Sequence, residues 1–231
     1  MRNVFYPASR ILNKEYTLNP YLLKLRDELK DAYFDYEQAV ELKGSWRKDS
    51  FKVPEATPLD LEIGTGNGFF FAHHCFQNPN RAVLGLEIKY KPLHQTLKRS
   101  QSLGSTNGRG VRMHAAQIDQ ILSPGEIDNA YIFFPDPWPK KRHHKNRLIQ
   151  LDFLHTLFEI QKPGCFLEFK SDNPEYFDWT VEKMKKGPYK IERLTYDLHN
   201  SEWAQENFQT HFEKLWTSKG LKTMLIRGYK V

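Results

Sequence analysis

LDLEIGTGNG, residues 59–68, decides the fold of this chain. Leu59-Asp60-Leu61-Glu62-Ile63 reads as a strand, and it runs straight into Gly64-Thr65-Gly66-Asn67-Gly68. FFFAHHCF, which follows, reads as a helix. Glycines after the first strand of an α/β unit let the backbone turn tightly and carry its N–H groups up to a ligand. A dinucleotide-binding turn needs G-x-G-x-x-G or G-x-G-x-x-A, and here Phe69 occupies the third small position. Glu62 beside the loop would repel a pyrophosphate and suits a ligand with an ammonium or sulfonium charge. Both features argue against a nicotinamide-dependent oxidoreductase.

Downstream, strands and helices alternate. A turn at Asn78-Pro79-Asn80 leads to strand AVLGLEI, which places Glu87 at a strand end, where a carboxylate accepts from both hydroxyls of a ribose. A helix from Lys91 to about Leu103, a glycine- and polar-rich loop from Gly104 to Gly110, and a strand at Val111–His114 follow. Ile118–Leu122 reads as a helical turn, Tyr131–Phe134 as a buried strand and Arg147 to about Gln161 as a helix. CFLEFK is then a strand and Pro174–Lys186 a helix. The C-terminal stretch from Tyr189 reads as two strands flanking a helix near 210–219. The pattern predicts a Rossmann-like α/β fold, a mainly parallel seven-stranded sheet with an antiparallel hairpin at its C-terminal edge. Upstream, Asn19-Pro20 and YLLKLRDELKDAYFDYEQAVEL predict one amphipathic helix, with Leu22, Leu25, Leu29, Tyr33 and Tyr36 at helical spacing. Residues 1–57 are thus expected to be a helical extension and 58–231 one α/β domain.

Composition bounds the partners. The 231 residues carry a net charge of +6, which favours a polyanionic partner. Cys75 and Cys165 form no CxxC pair and suit buried thiols in a reducing compartment. MRNVFYPASR lacks the apolar core of a signal peptide, and no apolar run approaches membrane-spanning length, so a soluble cytoplasmic protein is expected. His73-His74-Cys75 does not predict a metal site: adjacent helical positions diverge, and no acidic residue stands at i+4 from either histidine.

The second informative stretch is AYIFFPDPWPKKRHHKNR, residues 130–147. Pro135, Pro137 and Pro139 stop the strand and hold Asp136 on a stiff loop. Trp138 either stacks on a base or anchors that loop, and Lys140, Lys141, Arg142, His143, Lys145 and Arg147 offer charge to phosphates. Asp172 precedes Asn173-Pro174 and either holds a ligand or caps the helix behind it. Thr210-His211-Phe212-Glu213 matches a capping box.

The G-x-G-x-G spacing after Glu62 is the pattern of S-adenosylmethionine-dependent methyltransferases. LEIGTGNG, GLEI, IFFPDPWPKKRHHKNR, KSDNPEY, DLHNS and TxFE together resemble the bacterial tRNA (guanine-N7)-methyltransferases, from about Leu59 to the C-terminus. That resemblance implies transfer of the S-adenosylmethionine methyl group to N7 of the guanine at position 46, in the tRNA variable loop. It implies cofactor contacts from Glu62, Glu87, the Gly64, Gly66 and Gly68 loop and Asp136, which is also the implied catalytic residue. Lys140, Asp172, Thr210, Phe212 and Glu213 would bind the substrate, and Lys141, Arg142, His143, Lys145 and Arg147 would grip RNA. Where the family carries Asp-Ala as its adenine contact this chain has Gln117-Ile118, whose amide still accepts from an adenine amino group. A catalytically silent RNA-binding relative is the rival reading. The expected enzyme is a monomer or homodimer, without a metal or a membrane.

Overall fold

The computed structural model describes residues 19–231. β2 (Leu59–Ile63) lies at the centre of an eight-stranded sheet. The chain winds outward from it through α3 (Phe69–Gln77), β3 (Ala82–Glu87), α4 (Tyr90–Ser102) and β4 (Gly108–Arg112). After the short α5 (Ile118–Ile121) it crosses back to β5 (Ala130–Phe133), on the other side of β2. α6 (Leu151–Ile160), β6 (Phe166–Ser171), α7 (Pro174–Lys186) and β7 (Lys190–Thr195) continue outward. α8 (His211–Thr217) and β8 (Met224–Tyr229) complete the chain. β8 inserts between β6 and β7 and runs antiparallel to both, as the C-terminal pattern predicts. The reversal of winding between β2 and β5 opens a crevice at their carboxyl ends, the usual ligand position of such sheets.

The sheet is covered on both faces. Leu61, Leu84, Ile132 and Phe169 pack with α6 and α7 residues such as Leu157 and Phe177 in the main core. Phe71, Leu93 and Leu97 meet Leu22, Leu25 and Leu29 in the second. Among the described residues no helix is long and apolar enough to cross a membrane.

Three predicted boundaries change. The single N-terminal helix divides into α1 (Pro20–Glu28), a two-residue β1 (Tyr33–Phe34) and α2 (Tyr36–Glu41). Asp35 caps α2 in a full box with Gln38, which ends any continuation, and Tyr33 and Phe34 pair in parallel with Gly110 and Val111. This adds the eighth strand. β4 starts within the stretch expected to be loop, because Gly108 and Gly110 are needed where helices approach the sheet. A Cβ on Gly108 would lie 2.8 Å from Phe71, and one on Gly110 2.8 Å from Leu93. The expected start of α6 at Arg147 also fails: Lys141–Asn146 form a 3-10 turn and the helix begins at Leu151.

Candidate active site

The loop after β2 is pinned by bonds within the protein. Gly64, Gly66 and Gly68 adopt φ of +80°, +53° and +73°, which only glycine takes without strain. The N–H groups of Gly64 and Thr65 donate to Leu86 O, and Thr96 Oγ1 donates to Gly66 O at 3.0 Å. Gly68 is needed twice over, since a Cβ there would stand 2.3 Å from Thr96 Cα.

This loop, Glu62, Phe69, Phe133, Phe134 and Phe212 line one pocket. Glu62 is 4% exposed and one of its oxygens has no hydrogen-bond partner among the described residues. Burial first, and the Glu87 charge second, push its pKa well above the usual carboxylate range. Glu87 accepts from the N–H of Gly66 at 3.0 Å and of Lys89 at 2.9 Å. An orphaned buried carboxylate among aromatic walls, with a second carboxylate at the loop, fits a cationic nucleoside-type ligand and would repel an anionic one. Gln117 ends a 3-10 turn after β4, half-buried, and is not among the residues lining this pocket.

At the end of β5 the chain is held in an unusual shape. Phe134 and Trp138 both have left-handed backbones, φ +52° and +45°, a region bulky residues avoid. Between them Asp136 is exposed, and its carboxylate has no hydrogen bond or ion pair among the described residues. Trp138 is half-buried with its ring edge-to-face on His143, centroids 5.9 Å apart. Lys140, Lys141, Arg142 and Lys145 are exposed, so a surface of positive charge does follow the loop. Arg147 does not belong to it. Its side chain is only 1% exposed, with its donors turned inward to Pro137 O and Glu175, so the expected RNA contact has no guanidinium to make it.

Asp172 follows β6, the neighbour of β5. The cap of α7 is Asn173, whose side chain accepts from Tyr176 N at 2.8 Å. Asp172 is therefore free of that duty. Thr210 and Glu213 form the capping box of α8, with Glu213 N donating to Thr210 Oγ1 at 3.1 Å. Glu213 is fully buried, and Asn207 Nδ2, His199 Nε2 and Lys170 Nζ lie 2.5, 3.2 and 3.7 Å from its carboxylate oxygens. Its oxygens are consumed inside the protein, whereas Phe212, 49% exposed, reaches the pocket. Lys170 was missed in the sequence. It is a lone cation inside apolar β6, and burial pulls its pKa down while Glu213 opposes the fall.

Known proteins resemble this chain. A family profile described as "Putative methyltransferase" matches residues 56–226. The tRNA (guanine-N(7)-)-methyltransferase of Bdellovibrio bacteriovorus is 44% identical over 209 residues, covering 90% of this chain and all of the relative. The chain belongs to the tRNA (guanine-N7)-methyltransferase family. The Clostridium novyi member is 32% identical across 93% of this chain and 97% of its own. Among solved structures, a SAM dependent methyltransferase from Aquifex aeolicus superposes with a TM-score of 0.53 at 14% identity, covering 86% of this chain and all of the other. That likeness is one of fold. Family membership agrees with the resemblance drawn from LEIGTGNG and PDPWPKKRH.

Proposed function

We propose that the protein methylates N7 of a guanine in tRNA, the variable-loop guanine at position 46, using S-adenosylmethionine, and that residues 58–231 form the methyltransferase domain with 1–57 as its extension. The observation that carries the reading is Glu62, a buried carboxylate with an unpartnered oxygen facing a pocket that the glycine loop and Phe212 enclose. Glu62 and Glu87 would hold the cofactor's ammonium and hydroxyl groups, and the N–H groups around Gly64–Gly68 its polar ends. When bound, S-adenosylmethionine supplies an electrophilic methyl group on a sulfonium.

The chain has a short list of tasks, because N7 of guanine carries an in-plane lone pair and no proton. No general base is needed, only alignment and exclusion of water. The methylated base becomes cationic, so Asp136 stabilises developing positive charge or accepts from the guanine N1–H and N2–H. Asp172, at the end of the neighbouring strand β6, would reach the same Watson–Crick edge. Lys140 and the exposed Lys141, Arg142 and Lys145 neutralise phosphates, with His143 beside them. Thr210 and Glu213 act by shaping the turn that presents Phe212. A tRNA substrate favours a cytoplasmic enzyme.

The decisive experiment transfers labelled methyl from S-adenosylmethionine to unmodified tRNA, then applies reduction and aniline, which cut at N7-methylguanosine. A single cut in the variable loop is expected. Incorporation without that cut would overturn the atom assigned. Binding of tRNA without incorporation would favour the catalytically silent relative.

A further inference from the structure

Arg147 stands in a cationic run, yet it is buried while Lys140, Lys141, Arg142 and Lys145 are exposed. A guanidinium leaves water only where its donors and its flat face are matched. Here Nε donates to Pro137 O at 2.9 Å, and a terminal nitrogen donates to Glu175 Oε1 at 3.0 Å. The guanidinium carbon lies 5.1 Å from the Tyr176 ring centroid and 5.2 Å from that of Trp179. Glu175, Tyr176 and Trp179 all belong to α7, which begins just after Asp172. One side chain thus joins the loop bearing Asp136 to the helix behind Asp172.

The bond to Pro137 matters because of what flanks it. The left-handed Phe134 and Trp138 would relax to ordinary backbone unless their surroundings over-determine them. The N–H of Phe134 is held by Lys170 O at 2.9 Å. The other pin is Arg147, acting on the residue immediately before Trp138. Asp136 lies between the pins and has no side-chain bond of its own among the described residues, so its position is set by its backbone alone.

We propose that Arg147 is a positioning residue that clamps the Pro135–Pro139 loop to α7, fixing Asp136 relative to Asp172, and that it makes no phosphate contact. The inference rests on Asp136 and Asp172 being the guanine-side carboxylates.

The test compares Arg147→Met and Arg147→Lys with the wild-type enzyme and with a Lys141→Ala/Arg142→Ala double variant. Lysine keeps the charge a phosphate would need but loses the planar fork that reaches Pro137 O and Glu175 together. Both Arg147 variants are expected to lower kcat by about 30-fold or more, since misplacing a reacting group by about an ångström costs on the order of 100-fold. Their tRNA affinity should stay within about threefold and their salt dependence unchanged, whereas the double variant should lose more than one unit of log–log salt slope. Hydrogen exchange at the amides that bracket the loop, Phe134 (donating to Lys170 O) and His143 (donating to Lys140 O), should quicken in both, with β2 and β3 unaffected. Full kcat in Arg147→Lys, a slope reduced by roughly one unit in Arg147→Met, or unchanged loop exchange would each overturn the clamp. Exchange needs no turnover. A wild-type protein that fails to methylate guanine would therefore defeat the proposed function, while the exchange data would still decide whether Arg147 holds the loop.

Discussion

Asp60 and Glu62 sit two residues apart on one face of β2, both buried, and their surroundings treat them in opposite ways. Asp60 accepts from Arg81 Nε at 2.7 Å and from its terminal nitrogen at 2.6 Å. His74 Nε2 lies 2.7 Å away, and Asn129 N–H donates at 3.1 Å. Burial alone would raise the Asp60 pKa, but the His74 and Arg81 hydrogen bonds outweigh it and hold it below the usual range. Glu62 has an oxygen with nothing to accept from among the described residues, and burial drives its pKa the other way. A saturated buried carboxylate ties elements together. An unsaturated one costs stability until a ligand satisfies it. The strand end decides which is which: Asp60 lies under α3 and beside the turn carrying Arg81, while Glu62 opens onto the glycine loop.

That contrast can be broken or sharpened by substitution. The largest effect is expected from Asp60→Ala, which strands a buried charge network and should cost about 3–5 kcal/mol in denaturant unfolding. A loss below about 1 kcal/mol would mean the network is not a clip. Gly68→Ala comes next. With φ at +73° and Thr96 Cα at 2.3 Å, it should weaken S-adenosylmethionine binding on the order of 50-fold by calorimetry, through strain of about 2–3 kcal/mol. Glu62→Gln should separate stability from binding. Its ligand-free melting temperature should hold or rise, because an amide cannot ionise where burial penalises the charge, while cofactor affinity falls about 10- to 30-fold through loss of charge-assisted bonds. A lower melting temperature with intact affinity would show Glu62 to be a second Asp60.

The smallest effect is on pH, and its signs differ between the two residues. The Asp60 pKa is lowered by folding, so its stabilisation is complete above the unfolded value near 4 and is lost as pH falls through the folded value. The Glu62 pKa is raised, so its contribution is favourable at low pH and fades from above about pH 4.5 as the pH climbs through the folded value. Cofactor binding should then release up to one proton and tighten with pH across that window. Calorimetry in buffers of different ionisation heat reads the proton directly, and its absence would mean that Glu62 is already charged without the ligand.

Much of this was readable in advance because it is local. β2, β3, β5 and β6 announce themselves as apolar strands that end at glycine, acidic or proline residues, and Gly64-Thr65-Gly66-Asn67-Gly68 specifies its turn by backbone freedom alone. The misreadings are equally physical. Leu22, Leu25, Leu29 and Tyr33 fit a helical period, but Tyr33 and Phe34 gain more by pairing with β4 than by extending α1. Gly108 and Gly110 signalled loop because their reason for being glycine, the closeness of Phe71 and Leu93, lies in other elements. His73-His74-Cys75, from which no metal site was expected, is divided by the fold: His74 bonds Asp60 and Cys75 lies in the core.

The sequence by itself therefore determined strands β2, β3, β5 and β6, the glycine turn, the stiff loop of Asp136 and the family, since each depends on residue types within a few positions of one another. The tertiary structure alone decided which charges are free to meet a ligand. Asp60 finds Arg81, Lys170 finds Glu213 and Arg147 finds Pro137 and Glu175 across the fold, while Glu62 and Asp136 find no such partner among the described residues. A charge's availability depends on which donors the fold brings within about 3 Å of it, and that distance is not written in the spacing of residues along the chain.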